Sequence, residues 1–159
     1  MDAIAQLAEQ AVQRLAARGE TLATAESCTG GLIAAALTEV PGASRVFRFG
    51  WVTYCNEAKM QELHVPAELI ELHSVVSEPV VRAMASSAGL QAHADFALAV
   101  SGNAGPSAAP DEPPVGTVCL ALATPTGSQA LTLFRAGLSR HDFRLMVVRE
   151  ALHLLLAEL

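Results

Sequence analysis

Thr21-Leu22-Ala23-Thr24-Ala25-Glu26-Ser27-Cys28-Thr29-Gly30-Gly31-Leu32-Ile33-Ala34-Ala35-Ala36-Leu37-Thr38-Glu39-Val40 holds a complete change of structure within twenty residues. Thr21 to Ala25 reads as a short strand, Glu26 to Gly31 as a tight turn, and Leu32 to Val40 as an apolar helix that Pro41-Gly42 stops. Paired glycines suit the junction because they accept backbone angles that side chains resist. A strand that hands over directly to a helix is the building unit of an α/β fold.

The chain on either side repeats that alternation. Upstream, Ile4, Leu7, Ala8, Ala11, Leu15 and Ala16 recur at helical spacing, and Gly19 follows as a cap, so residues 2 to 18 are expected to be an amphipathic helix. Downstream, Val46 to Cys55 is rich in aromatic and β-branched residues and reads as a strand or two short strand pieces. Glu57 to His64 and Pro66 to Leu72 suit short helices, and Ser77, as a cap, with Pro79 in the first turn opens a longer helix to about His93. Phe96 to Val100, Thr117 to Ala123 and Gln129 to Phe134 are strand candidates, the last two forming a hairpin around Pro125-Thr126-Gly127. A final helix from about Arg140 to Glu158 carries Phe143, Met146, Val147, Ala151, Leu154 and Leu155 on one face. Strands interspersed with helices imply an α/β sandwich, and the closing hairpin makes the expected sheet mixed rather than wholly parallel.

Composition narrows the function classes. The chain has 159 residues, 52% of them apolar and 16% charged, which suits one compact domain spanning residues 1–159. A net charge of -6 disfavours broad binding to nucleic acid, although Arg140, Arg144 and Arg149 are close enough in sequence to hold one anion, so phosphate on a small molecule fits better than DNA. Cys28, Cys55 and Cys119 are an odd number without CxxC or Cys/His spacing, which points to neither a disulfide framework nor a metal site and suits a reducing cytoplasm. The N-terminus lacks the basic start and apolar run of a signal peptide, and no run is long enough to span a bilayer. The apolar composition is compatible with a homodimer.

Four groups of residues can carry chemistry. Thr29-Gly30-Gly31 is able to cradle phosphate at a helix start, or equally to allow tight strand-to-helix packing. Ser101-Gly102-Asn103-Ala104-Gly105-Pro106 is a second loop of this type, with a plain turn after a buried strand as its other reading. Arg140 and Arg144 lie i, i+4 on one helix face and can fork around an anion or simply be solvated, and Tyr54 can donate a hydrogen bond or stack. Ser44 and Lys59 are a nucleophile and base only if burial lowers the lysine pKa and the intervening chain bends back. By spacing alone a surface serine and a solvated lysine are the commoner reading of such a pair.

Taken together, Ala25-Glu26-Ser27-Cys28-Thr29-Gly30-Gly31, Val52-Thr53-Tyr54-Cys55-Asn56-Glu57-Ala58-Lys59, Val76-Ser77-Glu78-Pro79-Val80-Val81, Ser101 to Pro106 and Pro114-Val115-Gly116-Thr117-Val118 resemble the CinA C-terminal domain family in order and spacing. The resemblance implies a three-layer α/β/α sandwich with a mixed sheet. It also implies a nicotinamide-nucleotide amidase that converts nicotinamide mononucleotide and water to nicotinic acid mononucleotide and ammonia, a step of pyridine nucleotide salvage that needs no cofactor or metal. Within it, the family's serine before the aromatic strand and the lysine closing the Tyr-x-Asn-x-x-Lys segment fall on Ser44 and Lys59, as a Ser/Lys dyad. The substrate-binding set it suggests is Thr29, Gly30, Gly31, Tyr54, Ser101, Gly102, Arg140 and, with a looser match, Arg144. Some relatives carry a separate N-terminal nucleotide-processing domain, whereas a stand-alone domain is expected here. Ser107-Ala108-Ala109-Pro110-Asp111-Glu112-Pro113-Pro114 departs from the family's glycine-rich, lysine-bearing loop and is stiffer and more acidic. That departure leaves open an amidase for another small amide. The competence and DNA-damage association in the family's name leaves open a non-catalytic nucleotide-binding or interaction module.

Overall fold

A computed structural model describes residues 2–159. Its five strands are β1 (Leu22–Glu26), β2 (Phe47–Val52), β3 (Phe96–Gly102), β4 (Thr117–Thr124) and β5 (Gly127–Phe134). They form one sheet in the order β2-β1-β3-β4-β5. β1 runs parallel to both β2 and β3, while β4 and β5 add antiparallel neighbours beyond β3, so the sheet is mixed as expected.

The six helices are α1 (Ala3–Arg18), α2 (Leu32–Thr38), α3 (Asn56–Leu63), α4 (Ala67–His73), α5 (Glu78–Ala92) and α6 (Arg140–Leu156). Strand alternation sorts them into two layers. Leu22, Phe96, Leu98, Val100, Val118, Leu120 and Leu122 face one way and are buried against α1, α2 and α6. Ala23, Ala25, Ala97, Ala99, Cys119 and Ala121 face the other way and are buried against α5, with Leu63 of α3 joining them. The alanine face lets α5 lie close to the sheet. A Cβ built on Gly89 of α5 would already touch Ala97 Cβ at 3.5 Å. The result is the three-layer sandwich implied above.

Most elements stand within one or two residues of their expected bounds, and Phe143, Met146, Val147, Ala151, Leu154 and Leu155 of α6 are all buried. Two details differ. Ser77 occupies the N-cap position of α5, but its hydroxyl donates back to Ser74 O at 2.7 Å and makes no cap bond. The connection before β2 contains a short 3-10 turn, Ala43–Arg45, and β2 ends at Val52 rather than at Cys55.

β1 sits between β2 and β3, so the chain leaves β1 toward one neighbour and later returns to the other side of it. Clefts at the carboxyl ends of such strands are where α/β sheets open a pocket. Here the residues leaving those ends are Ser27, Thr53 to Asn56, and Asn103 to Gly105.

Candidate active site

A polar cavity of about 280 Å³ occupies that cleft. Ser27, Tyr54, Lys59, Ser101, Asn103 and Arg140 are among its lining side chains, with Gly102 and Gly105 supplying backbone and Glu112 lying on the wall. A larger cavity of about 510 Å³ between α1, α2 and α6 has a mainly apolar lining and no hydroxyl or thiol nucleophile.

Local folding brings Ser27 and Lys59 together. β1 and β2 are in register through Glu26 and Val52, and Thr53 N–H donates to Glu26 O at 2.9 Å, which sets the exit of β2 beside Ser27. α3 then begins at Asn56, and Lys59 lies one turn into it, its N–H donating to Cys55 O at 3.2 Å. The side chain therefore folds back over the strand ends. Lys59 Nζ lies 3.1 Å from Ser27 Oγ and 2.8 Å from Thr53 O.

Lys59 is only 1% exposed, and the single ion pair among the described residues joins Arg18 to Glu20 elsewhere. A buried ammonium without a counterion is costly, so burial lowers the Lys59 pKa from its ordinary 10.5, with the nearby Cys55 and Cys28 thiols opposing that shift. A neutral amine has two N–H groups and a lone pair. One N–H satisfies Thr53 O, and the lone pair is free to accept the Ser27 hydroxyl proton. Beside it, burial pushes the Cys28 thiol up to about 12, so that sulfur is no thiolate nucleophile.

The turn after Ser27 is held by a carboxylate from the strand before it. Glu26 is 1% exposed. Its Oε1 accepts Thr29 Oγ1 at 2.6 Å and Ile33 N–H at 2.9 Å, and its Oε2 accepts Ala34 N–H at 3.0 Å. Opposite, Arg140 donates to Gly105 O at 2.6 Å and to Tyr54 Oη at 2.7 Å, closing the rim of the cavity between the start of α6 and the loops after β2 and β3. Ser101 Oγ donates to Val75 O at 2.9 Å and so ties the wall to the segment before α5.

A family model for the CinA C-terminal domain matches residues 4–159. The chain belongs to the CinA C-terminal domain family. It is 49% identical over 150 residues to a CinA-like protein of Anaeromyxobacter sp. strain K, covering 94% of this chain and 36% of that one. Such coverage means that this CinA domain spans about a third of the length of the curated relatives it matches. Among solved structures, the competence/damage inducible protein CihA from Agrobacterium tumefaciens is 42% identical, with a TM-score of 0.92 over 99% of this chain and 96% of that one. A CinA superfamily protein from Escherichia coli is 36% identical, with a TM-score of 0.94 over 98% of this chain and 90% of that one.

Within this CinA domain the expected Ser44–Lys59 pair does not form. Ser44 is exposed on the 3-10 turn at the entry to β2, while Lys59 follows its exit. β2 is six residues of extended strand, about 20 Å at about 3.3 Å per residue, paired with β1 from Phe47 to Val52, so its two ends stay apart. Lysine meets Ser27 instead. The expected phosphate cradle is also corrected: Thr29, Gly30 and Gly31 lie outside the cavity lining, Thr29 is fully buried, and the Glu26 carboxylate already fills the anion position at the start of α2. Arg144 leaves the lining too, because its guanidinium is directed onto the Cys28 and Thr29 carbonyls. Tyr54, Ser101, Gly102 and Arg140 do line the cavity. Asn103 lines it too, within the loop of residues 101–106, whereas sequence reading missed Ser27 and Glu112 as lining residues. Ser27 carried one usable signal, as the first hydroxyl after a buried strand that enters a glycine turn. Among the described residues no His, Cys, Asp and Glu cluster could hold a metal ion, and no helix is long and apolar enough to cross a membrane.

Proposed function

We propose that this chain is a serine amidohydrolase that cuts the carboxamide of a nicotinamide-type mononucleotide, with Ser27 as nucleophile and Lys59 as base. The observation that carries this reading is the buried Lys59 amine 3.1 Å from Ser27 Oγ on the wall of a polar cavity. Neutral Lys59 takes the Ser27 proton as Oγ attacks the amide carbon, and the resulting ammonium returns a proton to the departing nitrogen, which leaves as ammonia. Water then adds to the acyl-enzyme, Lys59 taking its proton and passing it to the departing Ser27 Oγ, and the acid formed ionises to the carboxylate as it is released. Of the turn after Ser27 only Cys28 also lines the cavity, so its N–H is the backbone donor the oxyanion can use, worth about 3 kcal/mol when well placed.

A cavity of about 280 Å³ suits one ring and one sugar rather than a dinucleotide. Arg140 at the rim fits a phosphate or carboxylate held away from the reacting bond, where binding energy fixes the geometry. Glu112 on the same wall favours a second reading, a small amide without a phosphate, because a carboxylate repels phosphate. Ammonia release from nicotinamide mononucleotide, nicotinamide riboside and free nicotinamide, each with wild type and Ser27→Ala, tests both. Release from the mononucleotide that Ser27→Ala abolishes supports the first reading, and a preference for the riboside supports the second. Equal release by Ser27→Ala rejects the mechanism, and binding without release assigns a non-catalytic module.

A further inference from the structure

Arg144 reaches from α6 to the turn that carries Ser27. Nε donates to Cys28 O and Nη2 to Thr29 O, each at 3.0 Å, so one planar fork spans two successive carbonyls. The side chain is half-buried and has no ion-pair partner among the described residues.

Those two contacts fix more than two oxygens. In a trans peptide the C=O and the following N–H point in opposite directions, and the sole cis bond among the described residues is Gly105–Pro106. Drawing the Cys28 carbonyl toward α6 therefore turns Thr29 N–H to the other side. Drawing the Thr29 carbonyl the same way turns Gly30 N–H, which donates to the carbonyl of Ser27 itself at 2.9 Å. The chain makes room for this arrangement: a Cβ on Gly30 would stand 3.2 Å from Arg144 Nη2, at a φ of +59° that side chains seldom adopt. Nor does α6 need Arg144 to stay docked, since Phe143, Met146, Val147 and Ala151 already bury its inner face.

We propose that Arg144 is a positioning residue, whose fork on the Cys28 and Thr29 carbonyls fixes the turn after Ser27 and so holds the Ser27 hydroxyl aligned on the reacting carbonyl. The inference rests on the amidase reading of Ser27 and Lys59. Lysine cannot replace the arginine, because a single ammonium holds one point where the fork holds a plane.

The test measures ammonia release from nicotinamide mononucleotide by wild type, Arg144→Ala and Arg144→Lys, with thermal midpoints and with ethylguanidinium added to the alanine variant. Misalignment on the scale of an ångström costs about 100-fold in rate, so kcat of Arg144→Ala falls by about that factor. KM changes by less than about twofold, since substrate does not touch the side chain. The pH midpoint stays in place, ethylguanidinium restores part of kcat, and Arg144→Lys remains slow. A kcat of Arg144→Ala within about threefold of wild type, or a KM that rises at constant kcat, overturns the inference. A loss of rate that ethylguanidinium does not relieve also overturns it, in favour of a purely structural arginine. Should Arg144→Ala fail to fold, wild-type kcat in Arg144→Lys overturns it and a slow, folded Arg144→Lys supports it. A wild type that releases no ammonia and leaves Ser27 unlabelled by an acylating ester rejects the amidase reading and this inference together. An active wild type with unaffected Arg144 variants rejects this inference alone.

Discussion

Replacing Lys59 by methionine separates a buried neutral amine from an ordinary lysine through the pH dependence of stability. The unfolded chain titrates this lysine near 10.5, whereas burial lowers the value in the fold. Between those two values the unfolded state binds the extra proton and the folded state does not, so the Lys59 contribution to stability rises with pH at up to about 1.4 kcal/mol per pH unit. That contribution is complete above 10.5, is lost progressively as pH falls, and is constant below the lowered native value. Methionine keeps the length of the side chain and removes the titration. It also leaves Thr53 O, which Lys59 reaches at 2.8 Å, without that donor, a fixed cost of about 1–3 kcal/mol at every pH. The difference in urea-unfolding free energy, wild type minus Lys59→Met, should therefore climb as pH rises from the lowered native value toward 10.5, while the offset leaves the slope untouched. The kcat/KM profile of wild type should rise through the same midpoint, because Ser27 can be deprotonated only by the free amine. A difference that stays flat across that range means the native amine titrates like a solvated lysine, and the proton-transfer role of Lys59 fails with it.

Ser27→Ala should remove turnover while calorimetry still detects nucleotide binding, and Ser44→Ala should keep the wild-type rate; the opposite pair of results would return the nucleophile to the entry of β2. Arg140→Ala releases Tyr54 and the Gly105 carbonyl and removes the rim cation, so KM for an anionic substrate should rise about tenfold with kcat little changed, as steady-state kinetics on the mononucleotide will show. Glu26→Gln places an amide where a carboxylate accepts three buried bonds from Thr29, Ile33 and Ala34, and should lower stability by about 2–3 kcal/mol in urea unfolding.

The layers of the fold were legible because period and punctuation agree along the chain. β3 and β4 alternate large apolar residues with alanine or cysteine, α6 carries its core residues at helical spacing, and the hairpin turn at Pro125-Thr126-Gly127 reverses the sheet as its residue types require. Lys59 was legible as half of a pair only through family resemblance, and its partner was misplaced. Sequence distance is a poor guide there: Ser44 is 15 positions away and stands at the opposite end of β2, whereas Ser27 is 32 positions away and within hydrogen-bond reach. Glycines 30 and 31 suggested a cradle for a bound phosphate, whereas the anion at the start of α2 is Glu26 of the same chain. No local pattern distinguishes an internal anion from a bound one.

What places the cavity is strand order rather than any motif. Had β2 added to the same side of β1 as β3, its exit would not flank Ser27 on the side away from β3, and the floor of the cleft would lack either the lysine or the Ser101–Gly105 wall. With β1 between them, three strand ends deliver a hydroxyl, an amine and a rim of backbone carbonyls to one opening, while α6 crosses above and sends Arg140 to the rim and Arg144 to the turn. The i, i+4 spacing that suggested a shared anion fork thus has a different use. The same helix face serves two neighbouring points of one site, and exchanging the two arginines' partners would require α6 to slide by a full turn, about 5.4 Å, against a core that buries Phe143 and Val147.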